Sequence, residues 1–373
     1  MERKTQPKRC ILDRVYLNNY NDHLKECENP FFHYLTIGKS AGFRPNPYNK
    51  GLWPSLTAPD EDAWANAIRA NNIEKSEVVV IIPVYKGYNE TLSAIHAVLC
   101  NPQQVPFALL VVNDGSPDQS LTQKLRALAE LSYFAYLENE VNLGFVGSVN
   151  RALTHSEGKD VILLNSDAIP FGDWIDRLMW HAHADADVAT ITPMSNNATV
   201  YSYPVNNDNN RIELEASAKT LDDYSKICNS RLSSPVPTGV GFCFYMRRSV
   251  IDCVGLLDAE TFGRGYGEEN DFCLRASQAG FRNILAHDVF VYHAGGVSFD
   301  NIYSENMAEI ERNLLLKHPV FLSLVHQHLL ADPGREARAR LDLYRAAKHL
   351  VDTGLSLLLI IAAAEYRLIL TTW

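Results

Sequence analysis

Three short polar motifs in this sequence stand where apolar runs end. Val161-Ile162-Leu163-Leu164 runs into Asn165-Ser166-Asp167. Further along comes Gly265-Tyr266-Gly267-Glu268-Glu269-Asn270-Asp271, and then Val289-Phe290-Val291-Tyr292 leads into His293-Ala294-Gly295-Gly296. An apolar run of strand length that stops on carboxylates aims them at the carboxyl edge of a sheet, where open α/β folds bind ligands. A carboxylate, a second acidic cluster and an imidazole delivered in this way can bind a divalent cation and supply a base. That is equipment for moving a group off a nucleotide diphosphate.

The elements that must position these motifs follow from the pattern between residues 77 and 195. Short β-rich runs at 78–84, 107–113, 133–137, 161–165 and 188–192 alternate with helical stretches at 91–99, 120–131, 147–155 and 174–184. Such alternation predicts a mostly parallel sheet covered by helices on both faces. Residues 195–235 are polar and irregular, and read as a mobile acceptor-side loop or a plain solvated insertion. A strand is expected at 239–246, a helix at 248–254 and another at 271–279, ended by Gly280.

Four signatures in the first half match one family in order and spacing. They are Val79-Val80-Ile81-Ile82-Pro83-Val84-Tyr85, Val111-Val112-Asn113-Asp114-Gly115-Ser116, Asn142-Leu143-Gly144-Phe145-Val146-Gly147 and Leu163-Leu164-Asn165-Ser166-Asp167. With the acidic motif and His293, they resemble the nucleotide-sugar glycosyltransferases of the GT-A fold, family 2, over roughly residues 77 to 300. Each motif alone is weak, since Asn-Asp-Gly-Ser also makes an ordinary turn. The resemblance implies a GT-A domain at 77–302, with a small aromatic-rich helical appendage and linker at 1–58 and a helical extension at 303–373.

The resemblance also implies roles. Pro83, Val84, Tyr85 and Asp114 would bind the nucleoside, Asp114 through base or ribose, and Asn142 and Gly144 would complete its pocket. Asn165-Ser166-Asp167 stands where the family carries Asp-x-Asp. The departure at Asn165 leaves Asp167 as the main carboxylate ligand, with Asn165 and Ser166 on the donor. Mn²⁺ or Mg²⁺ is the expected cofactor, since both accept hard oxygen ligands and phosphates together. His293 would be the distant metal ligand, although a lone His is more often structural. In inverting members the second acid of a Glu-Asp pair deprotonates the acceptor hydroxyl, which makes Glu269 the base and Glu268 the residue orienting the acceptor. Asp271 is the competing candidate, its alternative role being charge at a helix N-terminus. The glycines at 263, 265 and 267 fit a loop closing over the donor.

Composition bounds the rest. A chain of 373 residues holds one large domain or two modest ones, and a net charge of −10 argues against nucleic-acid binding. Seven cysteines with no Cys-x-x-Cys pair read as buried, reduced thiols, and no apolar stretch follows Met1-Glu2-Arg3-Lys4 to make a signal peptide. Both favour the cytoplasm. His181, His183, His326 and His328 form i, i+2 pairs and read as surface residues. Arg335, Arg338, Arg340, Arg345 and Lys348 precede an apolar run at 355–364, too short to span a bilayer. It predicts either packing or peripheral contact with the inner face of the cell membrane.

The expected activity is therefore metal-dependent inverting transfer of a hexosyl or deoxyhexosyl group. The donor would be a nucleotide-diphosphate sugar. The acceptor would be a glycan or lipid-linked glycan of a bacterial surface polysaccharide such as lipopolysaccharide or capsule, with other transferase modules as further partners. The alternatives are a nucleotidyltransferase, which should show a Gly-rich, Arg-containing loop where this chain has Pro83-Val84-Tyr85-Lys86-Gly87, and a non-catalytic transferase-like binding module.

Overall fold

The computed structural model describes residues 51–70, 72–263, 265–295 and 303–352. Its centre is an eight-stranded sheet. In chain order the strands are β1 (Val78–Val84), β2 (Phe107–Asn113), β3 (Ala135–Glu138) and β4 (Asp160–Leu164), then β6 (Val188–Met194), β7 (Ser233–Val236), β8 (Cys243–Met246) and β9 (Arg282–Phe290). Two short strands, β5 (Ala168–Ile169) and β10 (Tyr292–His293), pair with each other outside it. The sheet order is β3-β2-β1-β4-β8-β6-β9-β7. β8 and β7 run antiparallel to their neighbours, and the other pairings are parallel.

The central strands are buried on both faces because their runs are almost wholly apolar, and the period of two divides their side chains between two cores. Val78, Val80, Ile82 and Val84 of β1 join Leu109 and Val111 of β2 in one core, while Val79 and Ile81 join Ala108, Leu110 and Val112 in the other. The first core is covered by α1 (Glu61–Asn66), α2 (Tyr88–Cys100), α3 (Gln119–Glu130) and α5 (Trp174–Ala184). The second is covered by α4 (Gly144–His155), α7 (Arg248–Val254) and α9 (Glu268–Gln278). The remaining helices are α6 (Ala218–Cys228), α8 (Ala259–Phe262), α10 (Tyr303–Lys317), α11 (Phe321–Ala331) and α12 (Arg335–Asp352).

The carboxyl ends of β1, β2, β4, β6 and β9 therefore lie along one edge. β8 runs the other way, so its leading residues, Gly241-Phe242, reach that same edge.

Several expectations need correction. Residues 195–235 are not merely loop, since they contain α6 and β7. The helix expected at 271 begins at Glu268, which places Glu268 and Glu269 in its first turn. The strand expected at 239–246 starts only at Cys243, and the run at 289–292 is the end of β9 plus β10. His181 and His328 are buried rather than on the surface, while His183 and His326 are exposed.

The chain divides into two units. The described part of one is residues 51–53 with 211–217, where Gly51 and Leu52 pair antiparallel with Glu213 and Ile212. The other holds the sheet and α10–α12. Residues 1–50 of the appendage and linker expected at 1–58, and the apolar run at 355–364, lie outside the described residues. No helix among those described is long and apolar enough to cross a membrane.

Candidate active site

The nucleoside-pocket candidates meet where β1 and β2 end. Asp114 N–H donates to the Val84 carbonyl at 2.8 Å, tying the β2 turn to Pro83-Val84-Tyr85. Gly115 has φ +59°, and a Cβ there would lie 2.9 Å from the Asn142 nitrogen, so only glycine lets this turn press against the 141–144 segment. Asp114 Oδ1 then accepts from Leu143 N at 2.7 Å and Asn139 Nδ2 at 2.8 Å. Asn142 Oδ1 accepts the Gly144 amide at 2.9 Å at the start of α4. Asp114, Asn142 and Gly144 are thus brought together beside Tyr85. Asn139 went unnoticed in the sequence. It is buried, bonds Ser148 Oγ at 2.7 Å and receives the Arg151 guanidinium.

The second group forms because β5 and β10 pair in register, Ala168 opposite His293 and Ile169 opposite Tyr292. Asn165 ends β4, donates from its amide to the Phe242 carbonyl at 2.8 Å, and accepts from Ala168 N at 3.0 Å to close a turn over Ser166 and Asp167. His293 Nε2 stands 3.4 Å from Asp167 Oδ1. Asp167 Oδ2 accepts the Gly295 amide at 2.9 Å, which fixes the carboxylate plane. The imidazole is fixed from three sides. Its Nδ1–H donates to the Asn197 carbonyl at 2.8 Å, Asn196 exchanges two 2.9 Å bonds with the His293 backbone, and the Phe242 ring stacks on it at 5.3 Å.

With Nδ1 holding a proton, Nε2 is left to face a carboxylate. Burial works to lower the His293 pKa, but Asp167 outweighs it and the net shift is upward. A cation would replace that proton. A hard carboxylate oxygen 3.4 Å from an imidazole nitrogen is a donor pair that divalent cations accept. The pair therefore fits a divalent cation. No cluster of three or more His, Cys, Asp or Glu suited to a metal occurs among the described residues, so phosphate and water oxygens would fill the remaining positions.

The third group opens α9. Gly267 precedes the helix with φ +95°, and Glu268 and Glu269 occupy its first turn. Glu268 is buried and Glu269 half-buried, yet each has one side-chain oxygen with no protein partner. Burial and the charge of Glu269 push Glu268 well above the ordinary carboxylate range. Burial also raises Glu269, opposed in part by its own amide and those of Gly267 and Gly241. Two buried carboxyl groups this close share a proton, and the pair carries about one negative charge. Asp271, in contrast, is fully buried and turned to Arg275, Lys317 and His318.

Residues 238–242 join the second and third groups. Thr238 Oγ1 donates to Asn270 Oδ1 at 2.5 Å, Val240 N donates to Thr192 Oγ1 at 3.1 Å, and Gly241 lies against the Glu269 carboxylate. Phe242 then accepts the Asn165 amide and stacks on His293. Glu269, Asn165 and His293 are each one or two contacts from this segment.

Residues 79–255 match the family model described as Glycosyl transferase family 2. An uncharacterized glycosyltransferase of Rickettsia felis is 27% identical over 168 residues, covering 43% of this chain and 27% of that protein. One from Rickettsia bellii is 32% identical over 141 residues, covering 37% and 18%. This chain thus spans less than a third of the curated relatives it matches. A crystal structure of GalNAc-T7 with UDP, GalNAc and Mn²⁺ aligns with TM-score 0.50 at 14% identity, covering 77% of this chain and 58% of that one, and shares the fold.

Proposed function

We propose that this chain, which carries a family 2 glycosyltransferase domain of GT-A fold, transfers a sugar from a nucleotide-diphosphate donor to a glycan hydroxyl with inversion. The observation that carries the reading is the Gly241-Phe242 segment leading into β8, which touches a carboxylate of raised proton affinity at one residue and the imidazole of an Asp–His pair at the next.

Asp114, with Tyr85, Asn142 and Gly144, grips the nucleoside. Asp167 and His293 would hold Mn²⁺ or Mg²⁺, which when bound would supply positive charge to the departing diphosphate. Glu269 takes the acceptor proton as the acceptor oxygen bonds to the anomeric carbon. The bond from that carbon to the phosphate oxygen breaks on the opposite face. Glu268, protonated, hydrogen-bonds its neighbour and keeps Glu269 the ionised member. A bacterial surface polysaccharide is the acceptor class we favour.

The test is a panel of UDP- and GDP-sugars with Mn²⁺, following nucleotide release and thermal stabilisation. Release should require the cation, vanish in EDTA and return with Mn²⁺ or Mg²⁺. Asp167→Ala and His293→Ala should each weaken Mn²⁺-dependent nucleotide binding while leaving metal-free binding through Asp114. Full turnover in EDTA would refute the cation role of the pair.

A further inference from the structure

The buried side of α9 faces helices far along the chain. Asp271 sits one turn into α9 and is fully buried, with a cationic or imidazole partner on every open side. Arg275 Nε bonds Oδ2 at 2.8 Å, while Lys317 Nζ and His318 Nε2 reach Oδ1 at 2.8 and 2.9 Å. Burial acts to raise the Asp271 carboxyl, but Lys317, His318 and Arg275 outweigh it and hold it below the usual carboxylate range.

Lys317 does a second thing. Its ammonium also holds Asp258 Oδ2 at 2.6 Å, and Asp258 caps α8 by accepting the Thr261 amide at 2.9 Å. One side chain therefore ties the start of α8 to the first turn of α9. The apolar contacts agree. Phe262 of α8, Leu274 of α9 and Leu314 of α10 form a buried cluster flanked by Ile310 and Phe321. A Cβ on Gly267 would lie 2.9 Å from the Phe262 ring and 3.2 Å from Ile310, so the backbone entering α9 is packed against α10.

We propose that Lys317 and His318 are positioning residues for the base: through Asp271 they fix the first turn of α9, and with it the Glu268–Glu269 pair. This rests on the reading of Glu269 as the base. The Glu269 carboxylate accepts from its own amide and from that of Gly267, so its place depends on the backbone of that turn. The charged groups around the turn are Glu268, Glu269, Asp271 and Arg275 on α9, Asp258 capping α8, Lys317 at the end of α10 and His318 just after it. Without Lys317 and His318, Asp271 is a buried carboxylate left with Arg275 alone, and the turn must shift to let water reach it.

The experiment uses the full chain, with UDP and GDP plus Mn²⁺ as binding probes. Turnover is release of nucleotide from a UDP- or GDP-sugar with water as acceptor. His318→Ala should lower kcat about tenfold, the scale of a sub-ångström displacement of a catalytic group, while nucleotide Kd changes less than about twofold. His318→Gln restores an N–H donor and should return kcat to within about threefold of the parent. Lys317→Met removes a positive charge near the pair, so the acid limb of the pH–rate profile should move to higher pH; Lys317→Arg should leave it in place.

If His318→Ala does not fold, the Lys317→Met and Lys317→Arg pair carries the comparison. Unchanged kcat in His318→Ala and Lys317→Met overturns the proposal. So does a loss that His318→Gln does not repair with the acid limb unmoved, which would mark a purely structural clamp. Wild-type turnover by Glu269→Gln would instead overturn the assignment of the base.

Discussion

Replacing each member of the Glu268–Glu269 pair in turn separates base from neighbour. Glu269→Gln keeps shape and removes the proton acceptor, so acceptor-dependent transfer should fall by about 10²–10⁴, or roughly 3–5 kcal/mol of barrier. Glu268→Gln mimics the protonated state the structure favours and still donates a hydrogen bond, so transfer should stay within about tenfold of wild type. The reasoning is electrostatic. At an effective dielectric constant of about 20, two charges about 4 Å apart repel by roughly 4 kcal/mol, enough to keep one carboxyl protonated at neutral pH. Glu268, the more deeply buried, is the one whose proton affinity rises furthest.

The pH dependence follows with a definite sign. Activity needs ionised Glu269, so kcat should climb as pH rises through a value above the ordinary glutamate range. Folding stability runs the other way. A carboxyl whose folded pKa is raised favours the native state most below its unfolded value, and loses that contribution as pH rises through the folded value. Glu268→Gln should therefore gain Tm relative to wild type as pH increases. The assays are a pH–rate profile of nucleotide release and melting curves over the same range. If Glu268→Gln is inactive and Glu269→Gln turns over, the base is Glu268. An acid limb at the pKa of free glutamate would refute the low-dielectric argument.

Two further predictions concern stability. Burial holds His287 down to about 4, and Tyr201 donates its hydroxyl to Nδ1, so native His287 is neutral. A depressed His pKa costs stability as pH falls from about 6.5 towards 4, by about 3 kcal/mol over the window, and His287→Gln should remove that part of the acid-induced fall in Tm. Arg177 holds buried Asp222 through bonds of 3.0 and 2.7 Å, and burial still pushes Asp222 up to about 6. Asp222→Ala should cost about 3–5 kcal/mol in urea melts by stranding the guanidinium, whereas Arg177→Met with Asp222→Leu should cost far less; equal losses would refute the ion-pair account.

The parts of the fold legible in the sequence are those whose burial is apolar. β1, β2 and β4 can be read because both of their faces are buried and only their terminal residues Asn113 and Asp160 break the apolar runs. α6 could not. Its buried residues are Leu221, Asp222 and Ser225, and the two polar ones are satisfied by Arg177 and by the Leu221 carbonyl. No hydropathy pattern marks a face of that kind. His181 misled for a similar reason, since its partner, Asp288 at 2.7 Å, is brought in by β9 from far along the chain.

At the site, the reactive residues were visible and their assembly was not. Asp167 and His293 each end an apolar run, but they meet through a strand pairing of two residues per side, too short to leave a pattern. The residues that hold them carry no chemistry that would single them out. Asn196 and Asn197 lie in what reads as a polar loop, and they set both the backbone and the tautomer of His293. Residues 238–242 contribute to the site mostly through backbone groups and one aromatic ring. Yet Gly241 touches the Glu269 carboxylate, and Phe242 takes the Asn165 amide and lies under the His293 ring. A motif search finds groups that can transfer a proton or bind a cation. What links them here is the turn leading into a strand that runs against its neighbours, so that its entry meets their ends.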